Sequence, residues 1–297
     1  MTTQNPDDVV AVPLKHPWRW VSAVILLLLG GGFVWSLYAS PNIVHATVIK
    51  YLFDPQVLGA AWLTVVLTIV SMTVGAILAI ILAIMKLSHN PILKFIATLY
   101  IGFFRGTPLL LQVVFWGYLG LIYPKIILGI PFTDIIFHQW KTADLLPSVI
   151  AGILALSLNE AAYAAEIVRA GILSVDTGQG EAAKSLGMNS GYTLRRIVLP
   201  QAMRVIIPPM GNEFISMLKN TALLQVIAVM ELYARTNQIS AQNLAQVELL
   251  IVAGFWYLVM TTILSVPQNY LEKRYGKGFS ANSTKFRLIR VRARGNV

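Results

Sequence analysis

The sequence predicts an all-α membrane protein with six transmembrane helices. Of its 297 residues, 56% are hydrophobic and only 12% are charged, against the ~25% charged share of an ordinary soluble domain. So few charges cannot cover a globular surface in water, and mean hydropathy is +0.67. Charge-poor intervals recur along the chain, each near the ~20 residues a helix needs to cross hydrocarbon.

The first span is Trp20–Ala39. Lys15 and Arg19 precede it, as in a signal peptide, but the apolar run is longer than a secretory core. No small-x-small cleavage site precedes Pro41, so the helix reads as uncleaved. The second span lies within 55–85, which holds no charge. The third runs from Pro91 to Tyr123, interrupted by Lys94 and Arg105. The fourth covers Leu145–Arg169. The fifth starts at Pro208-Pro209 and ends near Met230. The sixth fills 249–271, again without charge.

Basic residues orient these spans. Outer loops hold only Lys50, Lys125, Lys141 and Arg235, and Arg105 and Lys219 lie within spans. All other basic residues fall on the opposite side, which places both termini in the cytoplasm. The net charge of +10 is therefore topogenic, and nucleic acid is not an expected partner. With no cysteine, disulfides, thiolate metal sites and cysteine nucleophiles are excluded.

The chain divides into a cytoplasmic segment 1–19, the N-terminal helix 20–39, an outer loop 40–56, a core 57–271 with a cytoplasmic loop 170–207, and a basic tail 272–297. In the tail, Arg287, Arg290, Arg292 and Arg294 alternate with Phe286, Leu288, Ile289 and Val291. Such a tail is drawn to anionic lipid by ~1 kcal/mol per basic residue near the surface. The plainer reading is a solvated tail that enforces topology.

The 170–207 loop carries helix signals. Asp176 can cap a helix, with Gln179 three residues on. Ala182, Ala183, Lys184 and Leu186 favour helix. Gly187 and then Asn189–Gly191 stop it, and Pro200 and Pro208-Pro209 mark fresh starts. The expectation is a short helix at 181–187 outside the hydrocarbon, where small alanines let another protein approach. Gly178–Ser185 nearly matches the phosphate-cradling G-x-x-x-x-G-K-[ST] loop, but Ala183 stands at its second glycine and no buried strand precedes it. ATP is not expected to bind this chain.

Ionisable side chains inside a bilayer need a reason. Arg105 lies roughly 16 Å along a helix from Lys94, Lys219 about 15 Å from Pro209, and Glu160 about 20 Å from Pro147. Gly106-Thr107-Pro108 follows Arg105, and Pro108 cannot donate to the carbonyl of Phe104. A broken helix with a cation at mid-depth suits a substrate site between helices. Arg105 and Lys219 would meet a carboxylate, and Glu160 an ammonium or a cationic side chain. Gln112, Tyr163, Asn212 and Ser216 share faces with these charges and are further lining candidates. The alternative for Arg105 is a purely structural role at the break. Glu166 reads as a structural partner of Arg169, three residues on. Glu213 reads as a partner of Arg204 or the loop arginines.

Glu181-Ala182-Ala183, then Gly187, Ile197, Leu199 and Pro200 resembles the EAA signature of permease subunits of bacterial ABC importers. The resemblance covers Val57 to Lys277. It extends to Arg105–Gln112, Ala162–Arg169 and Leu218–Thr221, which are similar to the histidine, glutamine and arginine permeases of the polar amino acid branch. It implies a five-helix type I importer core, with helix 20–39 as an N-terminal addition. It implies a multi-pass protein of the bacterial inner membrane and a transport subunit rather than an enzyme, with no cofactor on this chain. Two ATP-binding subunits would carry ATP and magnesium. A second identical or homologous permease, an extracytoplasmic binding protein, a polar amino acid and membrane lipid are the other implied partners. Glu181, Ala182, Ala183 and Gly187 would couple alternating access to the ATPase. An amino-acid-like solute such as an opine is an alternative cargo. An ion-coupled secondary transporter is the rival from another class, and the EAA signature and the lack of a second repeat argue against it. A membrane receptor or scaffold would leave the mid-depth charges unexplained.

Overall fold

The computed structural model describes residues 17–130 and 135–275. The N-terminal segment 1–16 and most of the basic tail lie outside the described residues. The chain opens with α1 (Pro17–Tyr38), then α2 (His45–Leu52) inside the expected 40–56 loop, then α3 (Pro55–Leu87). Asp54 caps α3 by accepting the Gln56 N–H at 2.8 Å, and Pro55 opens its first turn. Asn90 and Pro91 repeat the device for α4 (Pro91–Gly106), with the Ile92 N–H at 2.9 Å. In both, an accepting side chain and a proline deal with N–H groups that have no helical partner.

Next come α5 (Leu109–Gly117), the single turn α6 (Leu119–Ile122), strands β1 (Lys125–Gly129) and β2 (Ile136–Lys141), and the turn α7 (Thr142–Leu145). The long helix α8 (Ser148–Leu173) follows. Then come α9 (Thr177–Ser185), α10 (Ser190–Thr193), a π-helical stretch Leu194–Val198, and α11 (Leu199–Asn220). A 3₁₀ segment Thr221–Ile227 leads to α12 (Leu232–Asn243) and α13 (Gln246–Tyr275). Among the described residues, four helices are long and apolar enough to cross a membrane. There are six if each of two bent pairs counts as one span.

The break expected at Gly106-Thr107-Pro108 is present: the third span bends by 100° between α4 and α5, because Pro108 forces Thr107 into extended backbone (ψ 142°). Two differences from the expected elements have physical causes. The fifth helix does not start at Pro208-Pro209. It starts at Leu199 and runs through both prolines. With the 3₁₀ segment it continues to Ile227, and α12 follows at a 47° bend. An antiparallel ribbon of β1 and β2 occupies the loop between α6 and α7, where no strand was expected. Ile126-Ile127-Leu128 and Ile135-Ile136-Phe137 on either side of Gly129 and Ile130 carry its signal.

The centre is the pair α3 and α8, side by side and running the same way. Leu67 packs with Ala151, Ala155 and Leu156, and Ala79 with Ala161, Ala162, Ala164 and Ala165. Small residues on α8 let the two backbones close, since in a membrane contact rather than water exclusion drives helix association. At one end Lys86 and Arg169 both pair with Glu166, the latter at 2.8 Å. The structural role expected for Glu166 is what is seen, with Lys86 as an additional partner.

Glu231 ties the outer helices to this pair. It is fully buried. Its carboxylate accepts from the Ala234 N–H at 2.8 Å and from the Tyr257 hydroxyl at 2.7 Å, with the Thr64 hydroxyl at 3.4 Å. Thr64 Oγ1 in turn accepts the Leu232 N–H at 3.1 Å. One carboxylate thus caps α12 and joins it to α3 and α13. α1 stands apart: none of its apolar window is buried. The segment that follows it docks on α13, where the Val44 N–H donates to Glu248 Oε1 at 2.9 Å and Trp256 Nε1 donates to Leu52 O at 2.7 Å.

Candidate functional site

A cavity of about 540 Å³ opens at the break between α4 and α5, within the ~300–1,000 Å³ of small-molecule sites. Arg105 and Gly106 end α4 at its edge, and Thr107, Pro108 and Leu109 form the break. α8 supplies Asn159, Glu160 and Tyr163, α11 supplies Glu213 and Asn220, and the 3₁₀ segment supplies Leu223. The Arg105 guanidinium stands over the Tyr163 ring, 5.2 Å from its centroid. Arg105 makes no ion pair among the described residues. Arg105 and Glu213 line the same cavity. Glu160 is buried, and its Oε1 has no hydrogen-bond partner among the described residues.

The break is braced from within. The Phe104 carbonyl, which Pro108 cannot serve, accepts from Gln112 Nε2 at 2.9 Å and Asn159 Nδ2 at 3.1 Å. The Gln112 amide also donates to Thr107 O at 3.1 Å and Thr107 Oγ1 at 2.8 Å. Gln112 Oε1 accepts from Asn159 Nδ2 at 3.1 Å. Bent membrane helices persist only where such groups are satisfied again. Gln112 is buried here and does not line the cavity. The guanidinium of Arg105 makes none of these hydrogen bonds to the broken backbone.

Away from the cavity, α9 forms a short exposed helix. Asp176 accepts the Gly178 N–H at 2.7 Å and caps its start. At its end Gly187 adopts φ +75°. The Met188 N–H reaches Ala183 O at 3.0 Å and the Gly187 N–H reaches Lys184 O at 2.9 Å, a Schellman ending that favours glycine. Glu181 and Ala182 are exposed, but Ala183 faces inward at 2% exposure. Leu186, a large apolar residue, is 81% exposed beside them. Gly178–Ser185 is helical throughout, so the stretch that nearly matches a phosphate loop is not a loop. Asn189 does not stop this helix; it caps α10 by accepting the Tyr192 N–H at 2.8 Å.

Residues 75–277 match the family model for the binding-protein-dependent transport system inner membrane component. The chain belongs to this family. The permease is 46% identical to the arginine transport system permease protein ArgU of Corynebacterium glutamicum, over 97% of this chain and 89% of that one. It is 37% identical to the L-cystine transport system permease protein TcyB of Bacillus subtilis, over 84% and 94%. A solved structure described as an amino acid ABC transporter with histidines aligns at TM-score 0.65 and 34% identity, covering 78% of this chain and 99% of that one. The permease is thus a subunit of an ABC importer, a multi-pass membrane protein whose role is transport.

In the permease, the cavity gathers Arg105, Glu160 and Tyr163 from the residues anticipated in sequence. Lys219, Asn212 and Ser216 do not line it. Lys219 is exposed, and Asn212 Oδ1 accepts from Gln268 Nε2 at 2.6 Å. Glu213 and Asn220 take their place. They lie seven residues apart, two turns on one face of α11, whereas Lys219 sits a quarter turn aside. Glu213 makes no ion pair with Arg204 among the described residues. Asn159 had a signal in sequence, a buried-type amide next to a mid-depth carboxylate.

Proposed function

We propose that the permease passes polar amino acids across the bacterial inner membrane, with cationic ones preferred. The observation that carries this is the charge of the cavity, one guanidinium on Arg105 against two carboxylates on Glu160 and Glu213. A cationic amino acid presents one carboxylate and two positive groups. Arg105 suits the carboxylate, which its planar fork can grip bidentately. Glu160 suits the side-chain cation and Glu213 the α-ammonium. Tyr163, Asn159 and Asn220 complete the wall with aromatic and amide surface. Two of the three named relatives support the same reading, the arginine permease and the transporter described with histidines, while the cystine permease supports only the amino acid class.

In this reading both termini face the cytoplasm, as the basic-residue bias directs. Two ATP-binding subunits carry ATP and magnesium and dock on α9 through Glu181, Ala182 and Leu186, while Gly187 and Ala183 set its shape. This chain itself carries no cofactor. α9 lies on the connection between α8 and α11, the helices that bear Glu160 and Glu213. Displacement of α9 by the closing ATPase therefore moves two walls of the cavity and alternates its access. A second permease, identical or homologous, completes the pathway, and an extracytoplasmic binding protein delivers cargo.

The test is ATP hydrolysis by the purified complex in nanodiscs, with its binding protein present. Arginine and histidine are expected to stimulate more than glutamine, and glutamate least. Equal stimulation by arginine and glutamate would remove the charge argument.

A further inference from the structure

Four buried side-chain polar atoms among the described residues lack a hydrogen-bond partner. Three of them belong to the central pair, Ser71 Oγ on α3 and Ser157 Oγ and Glu160 Oε1 on α8, and the fourth is Gln268 Oε1 on α13. Hydroxyls on a helix usually donate back to a carbonyl one turn earlier. Thr64 and Thr68, also on α3, do so to Ala60 O at 3.1 Å and Thr64 O at 2.7 Å. Ser71 and Ser157 do not, although both are fully buried.

Helix geometry places the three groups together. Leu67, Ser71 and Gly75 are spaced four apart and share one face of α3. Leu67 packs on Ala155 and Leu156, and Gly75 meets Glu160 and Ser157. A Cβ at position 75 would lie 2.8 Å from Glu160 Cγ, 2.9 Å from its Cβ and 3.2 Å from Ser157 O. Ser71 is therefore directed at α8 too. It precedes Gly75 by about 6 Å along α3, and Ser157 precedes Glu160 by about 4.5 Å along α8. The helices run in parallel, so the two serines lie at a similar depth, each about one turn N-terminal of the point where Gly75 meets Glu160. Two orphan donors and one orphan acceptor are complementary, and pairing them satisfies all three.

We propose that Ser71 and Ser157 are positioning residues of the ligand site, whose hydroxyls donate to the Glu160 carboxylate and aim it at the positive end of the ligand. Gly75 serves by letting α3 approach closely enough to bring the donors there. The inference rests on the reading that the cavity takes a cationic amino acid through Glu160. From the other elements around the cavity, Arg105 on α4 and Glu213 on α11 are the charged groups that face Glu160; the α3 side offers only the hydroxyl.

The experiment is binding of labelled arginine and labelled glutamine to the permease purified with its ATP-binding subunits in nanodiscs. Parent, Ser71→Ala/Ser157→Ala, Ser71→Thr and Glu160→Gln are compared, with assembly checked by gel filtration. The double alanine variant should weaken arginine binding about tenfold and leave glutamine within about twofold. Ser71→Thr, which keeps the hydroxyl, should bind arginine like the parent. In the Glu160→Gln background the alanines should add nothing further. Equal losses for both ligands, or parental arginine binding in the double variant while Glu160→Gln is impaired, would overturn the inference and leave the cationic reading standing. Parental arginine binding by Glu160→Gln would overturn both.

Discussion

Gln112 Nε2 donates to the carbonyl oxygen of Phe104 at 2.9 Å, across the break between α4 and α5. The pair separates two roles that a mid-membrane break combines. Gln112 and Asn159 hold the backbone, which leaves the guanidinium of Arg105 free for a ligand. Gln112→Leu should leave Thr107 O unpaired and Phe104 O with Asn159 alone, at a cost of about 1–3 kcal/mol. Thermal unfolding of the detergent-solubilised permease should show it as a lowered midpoint. Arg105→Gln should lower that midpoint little while abolishing arginine binding.

Gly187 ends α9 at φ +75°, where an L side chain costs roughly 1–2 kcal/mol. Asparagine tolerates this region better than alanine, and valine worst. Coupling, read as stimulation of ATP hydrolysis by loaded binding protein, should fall in the order Gly187, Asn, Ala, Val. Insertion and arginine binding should be unchanged across the series.

Glu231 is buried with the Ala234 N–H, the Tyr257 hydroxyl and the Thr64 hydroxyl around its carboxylate. Glu231→Ala leaves these donors without a partner and should cost on the order of 3 kcal/mol. Glu231→Gln keeps an accepting oxygen and should cost less than half of that. Limited proteolysis near Asn243 is the local readout, because loss of the cap should free α12 before the rest unfolds.

Lys86 and Arg169 share Glu166, and all three side chains are partly exposed. Lys86→Met leaves one partner and should cost no more than about 1 kcal/mol. Glu166→Gln releases both cations and should cost more than Lys86→Met in the same thermal assay.

The helical class and the approximate number of spans were legible because hydropathy and charge spacing act over ~20 residues and average out local detail. The cap at Asp176 and the Schellman ending at Gly187 were legible because they depend on a few neighbouring residues. What the sequence hid depends on tertiary partners. Gln112 lies on the face of Arg105 by helical spacing, yet the 100° bend cancels that spacing and turns the amide to Phe104. Lys219 seemed deep when measured from Pro209. The helix in fact starts at Leu199, and Asn220 rather than Lys219 meets the cavity. Glu213 reads as a partner of Arg204 or the loop arginines because sequence shows cations nearby but not which face they occupy. Glu231 gave no pattern at all, since its donors come from residues 64, 234 and 257.

The central claim is that two carboxylates facing one guanidinium make the cavity select a cationic amino acid. The most direct measurement is ATP-driven uptake of labelled arginine against labelled glutamine into proteoliposomes by the parent complex and by Glu160→Gln/Glu213→Gln. The account predicts that the parent prefers arginine and that the double variant loses this preference by at least about tenfold while still moving glutamine. A double variant that keeps the parental preference would contradict it, and selectivity would then have to arise outside this cavity.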